Sequence, residues 1–448
     1  MTSAAQDDEP RTWVVGALDS PPLSRRPRWA MTHAHLRVVV LAGIGLLAAL
    51  LFRRPDLVVL TTPLAIIAAW GVLTRPTGTP QAKLLQSHSM VAEGESAYVG
   101  IEVSSVPGQD LAAGSLATST YVEARGSRNA RVLATPAAGT AVRGSIALRP
   151  TRWGRRRLGP AVVGCASSWG AFRWGPEPLA ALPITVVPAP EAFEVATPAP
   201  APRGLVGRHR STRVGEGTEF AGIRPFQWGD RLKRIHWARS LRSSELHVTT
   251  THADQDTHVA IVLDAHYDLG RSEGVDGRPS SLDQSVRATA AVAEHFLAHG
   301  DRVSLRVLSH RAPMTVPAGS GGRHGVRIKD TLSRVVAGPP MDRSTSMLRL
   351  GLRPGALVVV VSAMVSPDAT TSTAALASAG FSVLVIDTLD DEVQPSDDEA
   401  LGLLAWRLRM IERSDEITAI ARKGVPVVPW VGPGSLDVAL RQLGRSRR

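Results

Sequence analysis

Residues 258–264 read HVAIVLD and residues 356–361 read ALVVVV. A strand this apolar on successive residues has no polar face to give to water, so both of its faces must be covered. Residues 303–308 (VSLRVL), 381–386 (FSVLVI) and 425–428 (VPVV) continue the series. Between them, residues 282–299, 325–336, 369–379 and 399–421 space their apolar side chains as helices do. Buried strands alternating with helices predict an α/β fold built on a doubly wound, mostly parallel sheet.

Upstream of this region the pattern changes. Between residues 90 and 187, short β-like runs such as 96–103, 142–148 and 183–187 alternate with Gly, Pro and Ser clusters and show no helical period. That spacing predicts a small all-β sandwich over residues 80–187. Residues 188–202 (PAPEAFEVATPAPAP) are too rich in proline for a helix, so residues 188–212 are expected to form a semi-rigid linker. The second soluble domain then runs from 213 to 448.

Two 17-residue apolar stretches lie nearer the N-terminus, 36–52 (LRVVVLAGIGLLAALLF) and 57–73 (LVVLTTPLAIIAAWGVL), separated by Arg53-Arg54-Pro55-Asp56. Each approaches the length needed to cross a hydrocarbon core of about 30 Å. Together they predict a transmembrane hairpin over residues 36–75, preceded by a tail of residues 1–35. A cleaved signal peptide is the rival reading of the first stretch, and the second stretch so close behind it argues against cleavage. Arg11, Arg25, Arg26, Arg28 and Arg37 precede the first span, and Arg75 and Lys83 follow the second. By the positive-inside bias both ends, and so both soluble domains, are expected in the cytoplasm of a two-span cell-membrane protein. The chain has 448 residues with 51 Lys and Arg against 40 Asp and Glu, a net charge of +11, and much of that excess then faces anionic lipid. The 44% hydrophobic content excludes a disordered chain, and the single cysteine, Cys165, excludes an intrachain disulfide or a four-cysteine zinc site.

The densest motif lies between linker and sheet, where residues 215–246 read GEGTEFAGIRPFQWGDRLKRIHWARSLRSSEL. It interleaves Phe220, Phe226, Trp228 and Trp237 with Arg224, Arg231, Lys233, Arg234, Arg239 and Arg242. Gly229-Asp230 predicts a turn in which Asp230 caps a short helix, with Leu232, Ile235 and Trp237 facing inward. Glu219 is expected to pair with Arg224 or Arg234 and clasp the segment to the sheet.

This string resembles the signature of the bacterial family called domain of unknown function 58. Gly217, Glu219, Phe220, Ile223, Arg224, Phe226, Gly229, Asp230, Ile235, Trp237, Ser240 and Arg242 match it by position, while Lys233 and Leu241 depart from its usual arginine and alanine. Arg152-Trp153-Gly154-Arg155 and Ser168-Trp169-Gly170-Ala171-Phe172 resemble the family's upstream elements. The resemblance implies a membrane-anchored protein whose sheet domain is von Willebrand factor type A-like. It also implies a setting beside a MoxR-type AAA+ ATPase and a transglutaminase-like membrane protein. The protein is therefore expected to be a non-enzymatic adaptor, with Glu219, Phe220, Arg224, Gly229, Asp230, Arg234, Ile235, Trp237, Ser240 and Arg242 as partner surface or structural clasp.

The alternative is a metal-dependent adhesion-type domain binding an acidic ligand. Type A domains bind Mg²⁺ through Asp-x-Ser-x-Ser, because a hard cation wants clustered oxygen ligands. Here that position reads Asp264-Ala265-His266-Tyr267-Asp268, and Ser362-Ala363 stands where a later strand end offers aspartate. Asp264 and Asp268 are the candidate ligands of a degenerate site, and no cofactor other than Mg²⁺ is indicated. Residues 319–325 (GSGGRHG) lack the ending of a nucleotide loop, and after His295, at i, i+4 to His299, Phe296 stands where a zinc protease helix has glutamate. Glu219, Asp230 and Glu245 among the signature's arginines argue for internal pairing, so nucleic acid is not an expected partner.

Overall fold

The computed structural model describes residues 14–15, 27–124, 129–134, 141–189, 214–252, 258–309, 314–338, 352, 356–390, 393, 400–432 and 434. The chain divides into two units, one made of Met1–Ala189 with Gly274–Asp276, the other of Pro190–Glu273 and Gly277–Arg448. Nearly all of the linker expected at 188–212 lies outside the described residues.

In the first unit, helices α1 (His33–Phe52) and α2 (Pro55–Leu73) form the expected pair, each long and apolar enough to cross a membrane. Thr32 caps α1 by accepting a hydrogen bond from the His35 N–H, and Arg53 ends it in the left-handed region. At 1.5 Å per residue the two helices span about 30 Å. Small residues let them approach closely: a Cβ added to Gly45 would stand 2.0 Å from Thr61 Cγ2. Apart from the 3₁₀ turn Ser168–Gly170, the other elements of the unit among the described residues are β-strands. One sheet orders Val14–Val15, Ala82–Gln86, Ala97–Val103, Val142–Pro150 and Val122–Ala124. The other centres on Gly154–Ser167, flanked by Phe172–Leu179, Leu182–Val187 and Gln109–Thr118. Val99, Ile101 and Leu148 from the first sheet share one buried core with Leu116, Leu158, Val163, Trp174 and Val186 from the second.

The second unit opens with an antiparallel ribbon of β1 (Val214–Pro225) and β2 (His247–His252), with the short helix α3 (Trp237–Ser243) between them. Among the described residues its main sheet has six strands: β3 (His258–Asp264), β4 (Arg302–Leu308), β5 (Met314–Gly319), β6 (Leu357–Ser362), β7 (Ser382–Asp387) and β8 (Val427–Pro429). They lie in the order β5-β4-β3-β6-β7-β8, all parallel except the edge strand β5. The molecule is thus a mixed α/β protein with two N-terminal apolar helices and several sheets.

Helix α4 (Ser281–Ala298) begins at a reciprocal cap in which Ser280 and Asp283 each accept the other's backbone N–H at 3.3 Å. Helix α5 (Gly322–Leu332) starts three residues earlier than expected, because Gly321, at φ +83°, turns the chain into it. Helices α6 (Pro367–Ser378) and α7 (Ala400–Arg422) pack Leu376 and Ile420 against Val262, Val358, Val360 and Val385 of the sheet.

Asp301, between α4 and β4, is buried, and that burial holds its carboxyl above the ordinary aspartate value while His299 opposes the shift. A folded-state value above the unfolded one costs nothing while both states are protonated. The penalty grows as pH rises from about 4, where the unfolded chain ionises first, and persists at neutrality. Asp301→Asn is therefore expected to raise the melting temperature at pH 7, with the gain vanishing below about pH 4. A difference independent of pH would overturn this assignment.

Candidate functional site

In the signature ribbon, Arg224 pairs with Val248 and Ile223 with Thr249 across β1 and β2. After Pro225 the chain turns: the Phe226 N–H donates to the Leu246 carbonyl at 2.8 Å, and Gly229 takes φ +106°. Gly229 is required there because a side chain at that angle meets its own backbone. Across the turn, Arg224 donates two hydrogen bonds to the Asp230 carboxylate, at 2.8 and 2.7 Å, and Asp230 also accepts the Gln227 N–H at 2.9 Å. The Arg224 guanidinium holds the Asp230 carboxyl below the usual range, helped by the Gln227 N–H.

Asp230 therefore braces a turn, correcting the expectation that it caps a helix. Leu232–Arg234 form one 3₁₀ turn with no side-chain cap, and the residue that caps α3 is His236, whose Nδ1 accepts the Arg239 N–H at 3.1 Å. The partner of Arg224 seen across the turn is Asp230. The side chains of Glu219 and Phe220, and with them the expected Glu219 pairings, lie outside the described residues. Ile235 meets the expectation in part, since it is half-buried, and its backbone bridges to Val248. Ser240 is buried, donating to the His236 carbonyl at 3.0 Å and accepting the His247 N–H at 2.9 Å, which locks α3 onto β2.

Leu232 and Trp237 do not face inward. Trp237 is 62% exposed, Leu232 is 69% exposed, Leu241 is 83% exposed and Trp228 is wholly exposed. Arg231, Lys233, Arg239 and Arg242 are exposed among them, while Arg234 is half-buried. Once Ser240, Ile235 and the Arg224–Asp230 pair have fixed the backbone, the segment presents its large aromatic and aliphatic groups, rimmed by arginines, to solvent. Tryptophan and arginine are the residue types that anchor protein interfaces, because each joins a large apolar area to a polar edge.

The second locale is the C-terminal edge of the main sheet. The chain leaves β3 for β4 on one side while β6 lies on the other, so the ends of β3 and β6 flank the point where ligands of α/β sheets bind. Asp264 is buried there. Its Oδ2 accepts from Ser362 Oγ at 2.7 Å, and its Oδ1 accepts the His266 N–H at 3.1 Å and lies 2.8 Å from His266 Nδ1. Asp268 instead accepts the Leu282 N–H at 3.3 Å, at the start of α4. Asp264 is thus held between the ends of β3 and β6, and Asp268 is tied to the start of α4. Among the described residues no three His, Cys, Asp or Glu side chains gather as a metal site would. Sequence reasoning missed two neighbours at this edge, the Ser285–Thr388 hydroxyl pair at 2.6 Å and a cleft of about 390 Å³ lined by Gln284, Arg287, Asp387, Asp390 and Trp430. Only proximity in the fold brings them together. The glycine-rich loop before α5 is structural: His324 packs on Gly319 and its Nε2 bonds the Val303 carbonyl at 2.8 Å.

Residues 222–400 match the family model described as Protein of unknown function DUF58. Uncharacterized proteins of Mycobacterium bovis (strain ATCC BAA-935 / AF2122/97) and Mycobacterium tuberculosis (strain ATCC 25618 / H37Rv) are similar. Each is 28% identical over 193 residues, which cover 42% of this chain and 59% of the relative. The match thus spans about three-fifths of those curated relatives. Among solved structures, the cupredoxin domain of amoB from Nitrosocaldus yellowstonii is covered over 97% of its length and 28% of this chain, at 14% identity and a TM-score of 0.16. That score carries no argument about fold or function.

Proposed function

We propose, from the premise that residues 222–400 belong to the DUF58 family of proteins of unknown function, that this chain is a non-enzymatic, membrane-anchored adaptor. In this reading α1 and α2 cross the cell membrane, both soluble units are cytoplasmic, and the sheet of the second unit is von Willebrand factor A-like. The strand order β5-β4-β3-β6-β7-β8 with one antiparallel edge supports the last point. The partner is a MoxR-type AAA+ ATPase, with a transglutaminase-like membrane protein in the same assembly.

The observation that carries the adaptor reading is the outward face of the signature. The residues that hold this segment, Arg224, Asp230, Ile235 and Ser240, are distinct from those it exposes, Trp228, Leu232, Trp237 and Leu241. A segment serving only as a clasp would turn its tryptophans inward. The cation-dependent adhesion alternative has the position of Asp264 in its favour, yet a cation would have to compete with His266 and Ser362 for that carboxylate.

The test is crosslinked co-purification of the detergent-solubilised protein with Trp237→Ala and Leu241→Ala variants alongside. Wild type is expected to recover an AAA+ ATPase that both variants lose while their melting is unchanged. Failure of the folded wild type to recover such an ATPase, or equal recovery by the variants, would remove the docking role. Titrating Mg²⁺ into the same protein tests the alternative, which a melting shift abolished by Asp264→Asn would revive.

A further inference from the structure

Within the first unit, one loop of the β region is fastened to the end of the helix pair at which α1 begins and α2 ends. The Thr32 N–H donates to the Ala171 carbonyl at 2.9 Å, and Thr32 Oγ1 donates to the Gly170 carbonyl at 2.8 Å. From α2, Gly71 comes so near that an added Cβ would stand 2.8 Å from the Ala171 Cβ. Phe172 lies beside the His35 ring, with 6.1 Å between centroids, and the Arg75 guanidinium carbon stands 5.5 Å from the Phe172 centroid. The turn Ser168–Gly170 is therefore held within about one helical turn of the ends of both spans.

The middle residue of that turn is Trp169, at φ +56° and 73% exposed. A bulky residue in the left-handed region is strained, and an indole in bulk water gains nothing to offset the strain. Trp70, on the last turn of α2, is also exposed, as are Arg28, Arg75 and Arg173. Indoles settle at the headgroup level of a bilayer, where an apolar ring and a polar N–H are both satisfied, and arginines beside them meet lipid phosphate.

We propose that Trp169 and Trp70, with Arg28, Arg75 and Arg173, form a membrane-interface anchor that seats the Ser168–Gly170 turn in the headgroup layer of the leaflet where α1 enters and α2 leaves. The occupant of this surface is phospholipid. The proposal rests on the reading of α1 and α2 as membrane spans and extends it: the first unit would lie on the bilayer, not merely hang from it.

The experiment uses the full chain in phosphatidylcholine–phosphatidylglycerol vesicles with a bimane label at Trp169→Cys. The native thiol does not compete, because Cys165 is buried and burial pushes it up to about 12. The expected result is quenching by a lipid bearing a headgroup nitroxide, together with loss of most of the quenching that aqueous iodide produces on the free dye. Met31→Cys, an exposed position on the strand paired with Phe172 and Arg173, repeats the measurement with the Trp169 turn intact. Protein that floats with vesicles after alkaline extraction, yet whose labels iodide quenches as freely as the free dye, overturns the anchor and leaves the spans standing. Protein that does not float overturns the spans and the anchor with them.

Discussion

Replacing Arg413 with methionine is expected to destabilise the second unit by about 3 kcal/mol, the lower end of what breaking a buried ion pair costs. Arg413 on α7 donates to both oxygens of the Asp387 carboxylate at the end of β7, and its Nε donates to the Ala363 carbonyl at 2.9 Å. The two side chains are only 12% and 14% exposed, so although Asp387 also lines the cleft at this edge of the sheet, water replaces the guanidinium only in part. One turn earlier, Arg409 donates to the Val365 carbonyl at 2.8 Å and to both oxygens of Glu416, holding that carboxyl below its usual range. Helix α7 is thus strapped by two arginines to the loop after β6. Methionine keeps most of the apolar stem and removes the charge. For a unit of this size the loss corresponds to a fall of about 6–12 °C in melting temperature. Adding Asp387→Leu should restore part of it, since removing both partners of a buried pair is far less costly than removing one. An unchanged melt in the single variant would mean that solvent reaches the pair.

The main sheet was legible because its signal is local. Residues 258–264 form β3 with the bounds read from the string, and the other four strands read as buried in that domain fall within two residues of their expected places, since a continuous Val/Ile/Leu run leaves little choice. The β region was legible only in outline: many of its strands, such as Met90–Ala92 and Val122–Ala124, are too short to carry a pattern. In the signature, the turn at Gly229-Asp230 could be read and the role of Asp230 could not. Its partner Arg224 lies six residues back, across a reversal that only the β1–β2 pairing creates. Amphipathic spacing pointed Leu232 and Trp237 inward because it assumes an apolar surface behind the helix. What lies behind α3 is the backbone of β2, and Ser240 is the residue suited to meet it. Asp264 was visible as a strand-end carboxylate, but its bond to Ser362, 98 residues on, exists only once β3 and β6 are neighbours.

Two aromatic residues of the second unit should respond oppositely to truncation, and the contrast decides what the signature is. Phe296→Ala is expected to cost about 3–5 kcal/mol, because Phe296 is buried in the last turn of α4 and its loss leaves a cavity the packed sheet cannot close. The Phe296 carbonyl also accepts the Asp301 N–H at 3.0 Å, so the backbone there is fixed and little able to collapse into the space. Against a total stability of about 5–15 kcal/mol, that loss unfolds a measurable fraction of the protein. Trp237→Ala removes a larger ring from a position 62% exposed, and is expected to change stability by no more than about 0.5 kcal/mol. Both are read by thermal denaturation of the full chain in one detergent. If Trp237→Ala melted as low as Phe296→Ala, the tryptophan would be a structural clasp and the adaptor reading would lose its main support. If it melts with wild type while the ATPase is no longer recovered, stability and binding have been separated at one residue, which only a docking surface explains.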